Sequence, residues 1–298
     1  MNHFRSVLVV VNPASGKSSF TSKLNRLLDL LHAEGIHTAV FVTQREGGHG
    51  RLQAYLQRRG PFSDIAVIGG DGTLNYAVNE SHQSGIPLSV ISNGRGNDSV
   101  KSLHGVMSFE AQAEILIHGK VKHFDLGLCN QRLFVNGVGL GFDGAVVEHM
   151  LRSKKVLGGH IAYLLTVLRL LGGYRENRID YIRDGIREIG ETFMMTISNG
   201  TTFGGGFVIN PQAKPDDGLL DICLIRPISI LRRFRYLPLL RTGEHIRLNE
   251  VEVSLARKLE ISATLKIVAH LDGEFIGHPP YSISVLPGAF SLRVPPSE

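Results

Sequence analysis

The sequence predicts an amino-terminal α/β domain, a parallel sheet with flanking helices, followed by an antiparallel β-sandwich domain. Three observations predict it. Apolar, largely β-branched runs alternate with helical periodicities as far as about residue 122. Beyond that point, short β-rich segments separated by turns take over. Glycine-rich turns follow three strands of the first part, and a parallel sheet gathers such loops at its carboxyl edge.

Residues 5–11 (RSVLVVV) read as a fully buried strand, a short β-branched run closed by Asn12-Pro13. The helix after it places Phe20, Leu24, Leu27, Leu28 and Leu31 on one face. A strand over 36–42, a short helix over 52–59, a strand over 64–68, a helix over 74–84 and a strand over 87–91 complete the alternation. From 123 onward the segments 123–129, 132–138, 178–183, 192–198, 219–225, 251–256, 259–262 and 266–272 read as strands, with two helical stretches among them. No repeat and no flexible linker separates the parts, so the expected domains are 1–122, nucleotide-binding in character, and 123–285.

A chain of 298 residues, 43% apolar and 20% charged, is long enough for two cores. Its 34 glycines follow no G-X-Y period, and its mean hydropathy is +0.05, which excludes fibrous, disordered and integral-membrane classes. A formal charge of +5 and a pI near 9.3 favour an anionic partner: a nucleotide, a nucleic acid or an anionic membrane surface. Cys129 and Cys223 are far apart and form no CxxC pair, which argues against a disulfide framework or zinc site and for a cytoplasmic setting. The apolar run Val7–Val11 is too short for a secretory signal. The stretch Ile161–Leu171 carries Arg169 and ends at Gly172-Gly173, well short of the roughly 20 residues of a bilayer span.

The strongest motif is Gly69-Gly70-Asp71-Gly72-Thr73, between a strand and a helix. Paired glycines let backbone approach a bulky anion, and free N–H groups at a helix start favour phosphate oxygens. Asp71 is a poor bare neighbour for phosphate and fits if Mg²⁺ or water lies between them; a tight turn capped by Asp71 or Thr73 is the plainer reading. Asn12-Pro13-Ala14-Ser15-Gly16-Lys17 offers amides, a hydroxyl and a lysine after the first strand, although Val11 stands where a Walker A loop needs glycine. Asn93-Gly94-Arg95-Gly96-Asn97-Asp98 follows the fourth strand. Three such loops on one sheet edge make one cleft. Gly139-Leu140-Gly141-Phe142-Asp143-Gly144 matches GxGxxG, but no acidic residue follows about 20 positions on, so a dinucleotide site is rejected. Lys214-Pro215-Asp216-Asp217-Gly218-Leu219 and Leu271-Asp272-Gly273-Glu274 are acidic turns. The first suits a hard divalent cation as well as it suits a plain hairpin.

In this order NPASGK, GGDGTLN, GRGND, FDLGLCNQRLFVNGVGLGFDG, SNGTTFGGGFVINPQAKPDDGLLD and LDGE resemble the bacterial lipid kinases of the diacylglycerol kinase and sphingosine kinase superfamily, over nearly the whole chain. The resemblance implies an α/β nucleotide domain plus a β-sandwich, with a tail (here about 286–298) returning to the first domain. It implies that Asn12, Pro13, Ser15, Gly16, Lys17, Thr43 and Gly69, Gly70, Asp71, Gly72, Thr73, Leu74 and Asn75 hold the phosphates of ATP, with Gly94, Arg95, Asn97 and Asp98 closing the cleft. Asp71 and Asp125 would join an acidic network around catalytic Mg²⁺. Asp217, with the carbonyls of Lys214 and Leu219, matches a metal site, and Glu274 matches the general base toward a lipid hydroxyl. The third loop departs from the family's Pro-x-Gly-Thr/Ser-x-Asn-Asp-Phe at Ser92, Arg95 and Ser99.

The implied reaction is ATP- and Mg²⁺-dependent phosphorylation of a diacylglycerol-like acceptor, in a cleft that the two domains close over. The acceptor lies in a bilayer, so a peripheral protein must dock on it. Arg152, Lys154, Lys155, Arg169, Arg175 and Arg178 surround the apolar 161–171 stretch, and Arg232, Arg233, Arg235 and Arg241 interleave with Ile230, Leu231, Phe234, Leu237, Leu239 and Leu240. Either these dock on an anionic inner membrane face, or they form solvated faces of helices packed on the sandwich. A homodimer is open. An NAD kinase-like enzyme would share the GGDGT loop but lack GRGND and the late Asp-Gly-Glu. A non-catalytic nucleotide- or lipid-binding regulator would not need Asp71, Asp217 and Glu274. A nucleic-acid partner explains the pI but not these acids.

Overall fold

The computed structural model describes residues 5–15, 20–43, 50–94, 96–152, 159–262 and 267–296, apart from the side chains of 159–162. Two compact units partition the chain, Met1–Asp125 with Gly288–Glu298, and Leu126–Pro287.

The first unit runs β1 (Ser6–Val11), α1 (Phe20–Ala33), β2 (His37–Val42), α2 (Arg51–Arg59), β3 (Asp64–Gly69), α3 (Asp71–Ser81), β4 (Leu88–Ser92), α4 (Asp98–His104), α5 (Phe109–His118) and the start of β5 (Lys120–Cys129). Its strands lie parallel in the order β2-β1-β3-β4, and the end of the last strand, β18 (Tyr281–Val294), joins β4 in parallel with Leu292 opposite Leu88. Val7 through Val11 are wholly buried, as a β-branched run covered on both faces must be. Leu27 and Leu31 of α1 and Ala113 and Leu116 of α5 cover one face, against Val7, Val9, Ala66 and Ile68.

Helix α3 starts at Asp71, three residues before the apolar periodicity begins at Leu74. Gly70 is its N-cap in extended backbone, and the Gly70 carbonyl accepts the N–H groups of Thr73 and Leu74. Helices α4 and α5 have no counterpart in the periodicity. The first is only seven residues long, and the second is set by Ser108, whose hydroxyl accepts the Ala111 N–H. Asp64 is completely buried and pairs with Arg5 (2.9 Å) and with Arg293, tying β3 to both ends of the chain. Arg5 also donates to the carbonyls of Leu116 and Ile117, and Arg293 to that of Gly119, so the charges are hydrogen-bonded as burial demands.

The second unit contains the end of β5, β6 (Arg132–Phe134), β7 (Gly137–Gly141), α6 (Phe142–Arg152), α7 (Gly159–Gly173), β8 (Asn177–Arg183), β9 (Ile186–Thr192), β10 (Met194–Ser198), β11 (Thr202–Phe203), β12 (Phe207–Val208), β13 (Leu220–Ile225), α8 (Ile230–Thr242), β14 (Val251–Ala256), β15 (Lys258–Ile261), β16 (Ala269–Leu271), β17 (Glu274–Gly277) and the start of β18. A six-stranded antiparallel sheet has the order β14-β13-β10-β7-β16-β17. It shares one core with a second sheet built on β18, β15, β8 and β9: Val138, Leu140, Met195 and Ile222 pack with Ile179, Leu259, Ile261 and Ile283. This is the expected sandwich. The expected 132–138 strand is two strands, broken at Val135-Asn136, whose N–H groups turn to the Asp272 carboxylate. Strand β9 went unanticipated because its outward residues are exposed and mostly polar.

Three helices, not two, cover the outer face of the six-stranded sheet. The extra one, α6, begins inside the GxGxxG match. Its glycines serve packing: a Cβ on Gly139 would stand 2.3 Å from the Asp143 carboxylate, and one on Gly144 would stand 2.2 Å from the Val268 carbonyl. The helix can lie against β16 only without them.

The basic cluster of α8 needs correction. Arg233 is 5% exposed, donates to the carbonyls of Ile228, Leu171 and Tyr174, pairs with Glu176 and stacks 4.8 Å above the Phe193 ring. Its stripe faces the sandwich, so the charge is structural. Arg152 and Arg232 are spent on Glu148 and Glu250. Lys154 and Lys155 lie outside the described residues. Among the described residues no helix is long and apolar enough to cross a membrane.

Candidate active site

The three loops after β1, β3 and β4 are knitted into one cluster at the carboxyl edge of the first unit's sheet. Asn12 Nδ2 donates to Thr73 Oγ1 (3.3 Å), while Asn12 Oδ1 accepts the Ala14 N–H (3.0 Å) and shapes the first turn. Ser15 Oγ donates to the Asn93 carbonyl (3.3 Å), and Asn93 Nδ2 returns a bond to the Ser15 carbonyl (2.9 Å). The Asn93 N–H donates to the Gly69 carbonyl at 2.8 Å. Asn97 closes the third loop on itself: its Oδ1 accepts from Gly94 N and its Nδ2 donates to the Gly94 carbonyl, both at 3.0 Å. Asn97 takes φ 53, a left-handed conformation that asparagine tolerates.

The second and third loops touch through bare backbone. A Cβ on Gly94 would lie 2.6 Å from Gly70 Cα. Asp71 spans the same gap. Its Oδ2 accepts the Asp98 N–H (3.1 Å) and its Oδ1 the Ser99 N–H (2.8 Å), so both oxygens cap α4. The plain capping role weighed for Asp71 is therefore present, toward a helix 27 residues away rather than its own.

The structure thus brings Asn12, Ser15, Gly69, Gly70, Asp71, Thr73, Gly94, Asn97 and Asp98 together. Thr43 borders them, its N–H on the Val11 carbonyl. Pro13 is exposed in the first turn, and nothing within 4 Å meets a Cβ on Gly72. Leu74 is buried in the core and its N–H already serves the Gly70 carbonyl, while the Asn75 side chain takes a bond from Asn79. Gly16, Lys17 and Arg95 lie outside the described residues. Asp125 is buried, with the Gly288 N–H on its Oδ1 at 2.7 Å.

Two residues of this cluster escaped the motif reading. Lys23 of α1 donates to the Ser92 carbonyl at 2.6 Å, and burial lowers its pKa. The signal for it was a lysine beside Phe20, Leu24 and Leu27 on an apolar stripe. Gln112 of α5 accepts the Ser92 N–H (2.9 Å) and donates to the Ser92 hydroxyl (2.9 Å). That pair explains the departure at Ser92, since a proline there has no N–H to give.

In the second unit the Lys214–Leu219 turn reverses at Gly218 (φ 74), with the Leu219 N–H on Asp217 Oδ1 at 3.0 Å. Burial, then the charge of Asp217, pushes the buried Asp221 carboxyl up to about 6. Carboxylates and turn carbonyls are the hard-oxygen donors a divalent cation such as Mg²⁺ takes, and Asp217 and Asp221 supply two such carboxylates near this turn. Among the described residues no group of three or more His, Cys, Asp or Glu side chains converges as a metal site by itself. Glu274 sits on a different hairpin, half exposed and paired with Arg132. The preceding Asp272 takes the N–H groups of Val135, Asn136 and Gly137 at 2.8–3.1 Å.

Helices α6, α7 and α8 and the six-stranded sheet form an apolar pocket open to solvent, lined by Phe142, Val146, Val167, Phe203, Phe207 and Leu240 among others. His245 lines it too, with burial holding its pKa below the ordinary value. On the outer side of α7 and α8, Leu164, Leu165, Leu168, Ile230, Leu231 and Phe234 are exposed, Leu231 at 85%.

Residues 6–129 match the diacylglycerol kinase catalytic domain, and residues 136–294 match the YegS C-terminal NAD kinase beta sandwich-like domain. The chain is 26% identical over 288 residues to a diacylglycerol kinase of Bacillus subtilis, covering 95% of this chain and 91% of that protein. It is 27% identical over 296 residues to a diacylglycerol kinase of Mycobacterium tuberculosis, covering 97% and 95%. A crystal structure from Bacillus anthracis assigned to the diacylglycerol kinases superposes with a TM-score of 0.79, at 25% identity and 99% coverage of both chains.

Proposed function

Because the chain belongs to the family of diacylglycerol kinase catalytic domains and is a lipid kinase, we propose that its donor is ATP with Mg²⁺ and its acceptor the hydroxyl of a diacylglycerol-like lipid. The observation that carries this reading is the three-loop cluster of the first unit, held open-handed by side-chain bonds that leave glycine-rich backbone for phosphate oxygens. Asn12, Pro13, Ser15, Gly16, Lys17, Thr43, Gly69–Asn75, Gly94, Arg95, Asn97 and Asp98 are assigned to the nucleotide. Asp71 and Asp125 are assigned to an acidic network around it. Asp217 and the carbonyls of Lys214 and Leu219 would hold a divalent ion, which when bound would offset the carboxylate charge at that turn.

Phosphoryl transfer needs alignment and charge neutralisation more than covalent help. Glu274 is assigned as the base: it takes the hydroxyl proton as the lipid oxygen bonds to the γ-phosphorus and the bridging oxygen leaves with ADP. Arg132 now occupies that carboxylate and must release it first. The apolar pocket under α6, α7 and α8 suits an acyl chain. The exposed leucines of α7 and α8, with exposed Arg169, Arg175 and Arg235, suit an anionic bilayer.

The test is incubation with γ-labelled ATP, Mg²⁺ and vesicles of mixed lipids, with and without Glu274→Gln. Labelled lipid is expected from the wild type, and at least about a hundredfold less from the variant, at unchanged ATP affinity. Label appearing on NAD with none on lipid would favour the NAD kinase-like alternative. Near-normal turnover by Glu274→Gln would remove the base.

A further inference from the structure

Glu274 stands on a hairpin whose loop is just two residues, Asp272-Gly273, with Leu271 opposite Glu274. Both loop residues have left-handed backbone, φ 47 and 84, the type I′ geometry that Asp-Gly favours. Asp272 is tied to the N–H groups of Val135, Asn136 and Gly137. Gly273 is tied to a side chain: its N–H lies 3.2 Å from Nδ1 of His270, on the preceding strand. The other ring nitrogen, Nε2, is 2.8 Å from Oδ2 of Asp143 in the first turn of α6. A ring nitrogen that accepts an N–H carries no proton, so the ring's proton sits on Nε2 and points at the carboxylate. His270 is 4% exposed, and Gly139 has no Cβ where the ring lies, since one would stand 2.5 Å from Nε2.

We propose that His270 is a positioning residue for phosphoryl transfer: Nδ1 pins the turn that carries Glu274, and Asp143 holds the imidazole in the tautomer that can do so. This rests on Glu274 as the base. The Glu274 side chain is half exposed and paired with a half-exposed arginine, a contact too weak to fix it. The backbone beneath must therefore set its position, and displacements of about 1 Å can cost on the order of a hundredfold in rate.

The arrangement also makes the pin sensitive to acid. A second proton, on Nδ1, would turn the acceptor into a donor facing the Gly273 N–H. Asp143 from α6 and Asp272 from the turn face the ring, while β7 presents only the Gly139 backbone and β17 presents Phe275. Burial opposes the cation, but the two carboxylates outweigh it and raise the pKa above the ordinary histidine value.

Two isosteres separate the ring's two bonds in the full chain. Asn places an amide oxygen where Nδ1 was, and Gln places its amide nitrogen where Nε2 was. His270→Gln is expected to lower kcat by about tenfold or more with ATP KM unchanged, and to speed hydrogen exchange at the Gly273 amide by a similar factor. His270→Asn is expected to rescue most of that loss, to keep Gly273 protected, and to move the acid limb of kcat to lower pH. Nitrogen NMR of the wild-type ring should show Nδ1 unprotonated at the pH of maximal turnover, above the raised pKa of the ring, a readout that needs no variant to fold. Equal kcat and equal Gly273 exchange in the two variants, or a proton on Nδ1 at the pH of maximal turnover, would overturn the proposal. If the exchange difference stands while Glu274→Gln keeps its turnover, the pin survives but its catalytic purpose is refuted through the base.

Discussion

Asp71→Ala should destabilise the first unit even when no nucleotide or metal is present. The Asp71 carboxylate accepts two backbone N–H groups, from Asp98 at 3.1 Å and Ser99 at 2.8 Å, which are the first two residues of α4. A hydrogen bond to a charged group contributes about 1.5–3 kcal/mol net, and a carboxylate at a helix start adds about 0.3–1 kcal/mol. Asp71 is only partly buried, so the low end applies and the expected loss is about 3 kcal/mol. Asp71→Asn keeps one acceptor oxygen but turns an amide nitrogen toward the other N–H, so it should lose about half as much. The chain has no tryptophan, so unfolding in urea is best followed by far-UV circular dichroism, with amide exchange over 98–104 to localise the loss. An Asp71→Ala protein that unfolds within about 0.5 kcal/mol of wild type, with α4 still protected, would refute the capping role and leave Asp71 only the nucleotide role proposed for it.

Gly94→Ala would set a methyl carbon 2.6 Å from Gly70 Cα and 2.6 Å from Asn97 Oδ1; overpacking of this kind costs about 1–3 kcal/mol. The second and third loops must separate, so calorimetry should show ATP affinity at least about tenfold weaker, and an unchanged affinity would show that their contact is dispensable. His104 concerns pH. Burial lowers its pKa from 6.5 to about 4, and its Nδ1 is buried with no hydrogen-bond partner. The unfolded chain then takes up a proton that the folded one refuses, so stability falls as pH drops from 6.5 toward 4, by about 2 kcal/mol between pH 7 and pH 5. Urea midpoints at the two pH values should converge in His104→Gln, and an undiminished gap would clear His104 of responsibility.

The alternation of buried strands and helices was legible because it is a local pattern. Val7–Val11 and Ile65–Ile68 are wholly buried on both faces, and only unbroken apolar runs satisfy that. The three glycine-rich loops were legible for the same reason, since glycines and small polar residues at strand ends are read without knowing what lies opposite. Helix α4 was not, because its start depends on a carboxylate 27 residues earlier. Strand β9 was missed because its exposed face carries polar residues that look like a loop.

Charge was where the sequence misled most. Arg233 reads as one more cation of a basic face, yet three carbonyls, a carboxylate and an aromatic ring enclose it. Asp64, Arg5 and Arg293 look like ordinary surface residues, yet the buried Asp64 pairs with both arginines, Arg293 from 229 positions away. His270 and Asp143, 127 positions apart, carried no shared signal at all. Hydrophobic period and turn chemistry act over a few residues, and sequence order preserves them. Which polar atom neutralises a buried charge or orders a tight turn is settled only when the folded backbone brings distant donors and acceptors within about 3 Å of one another.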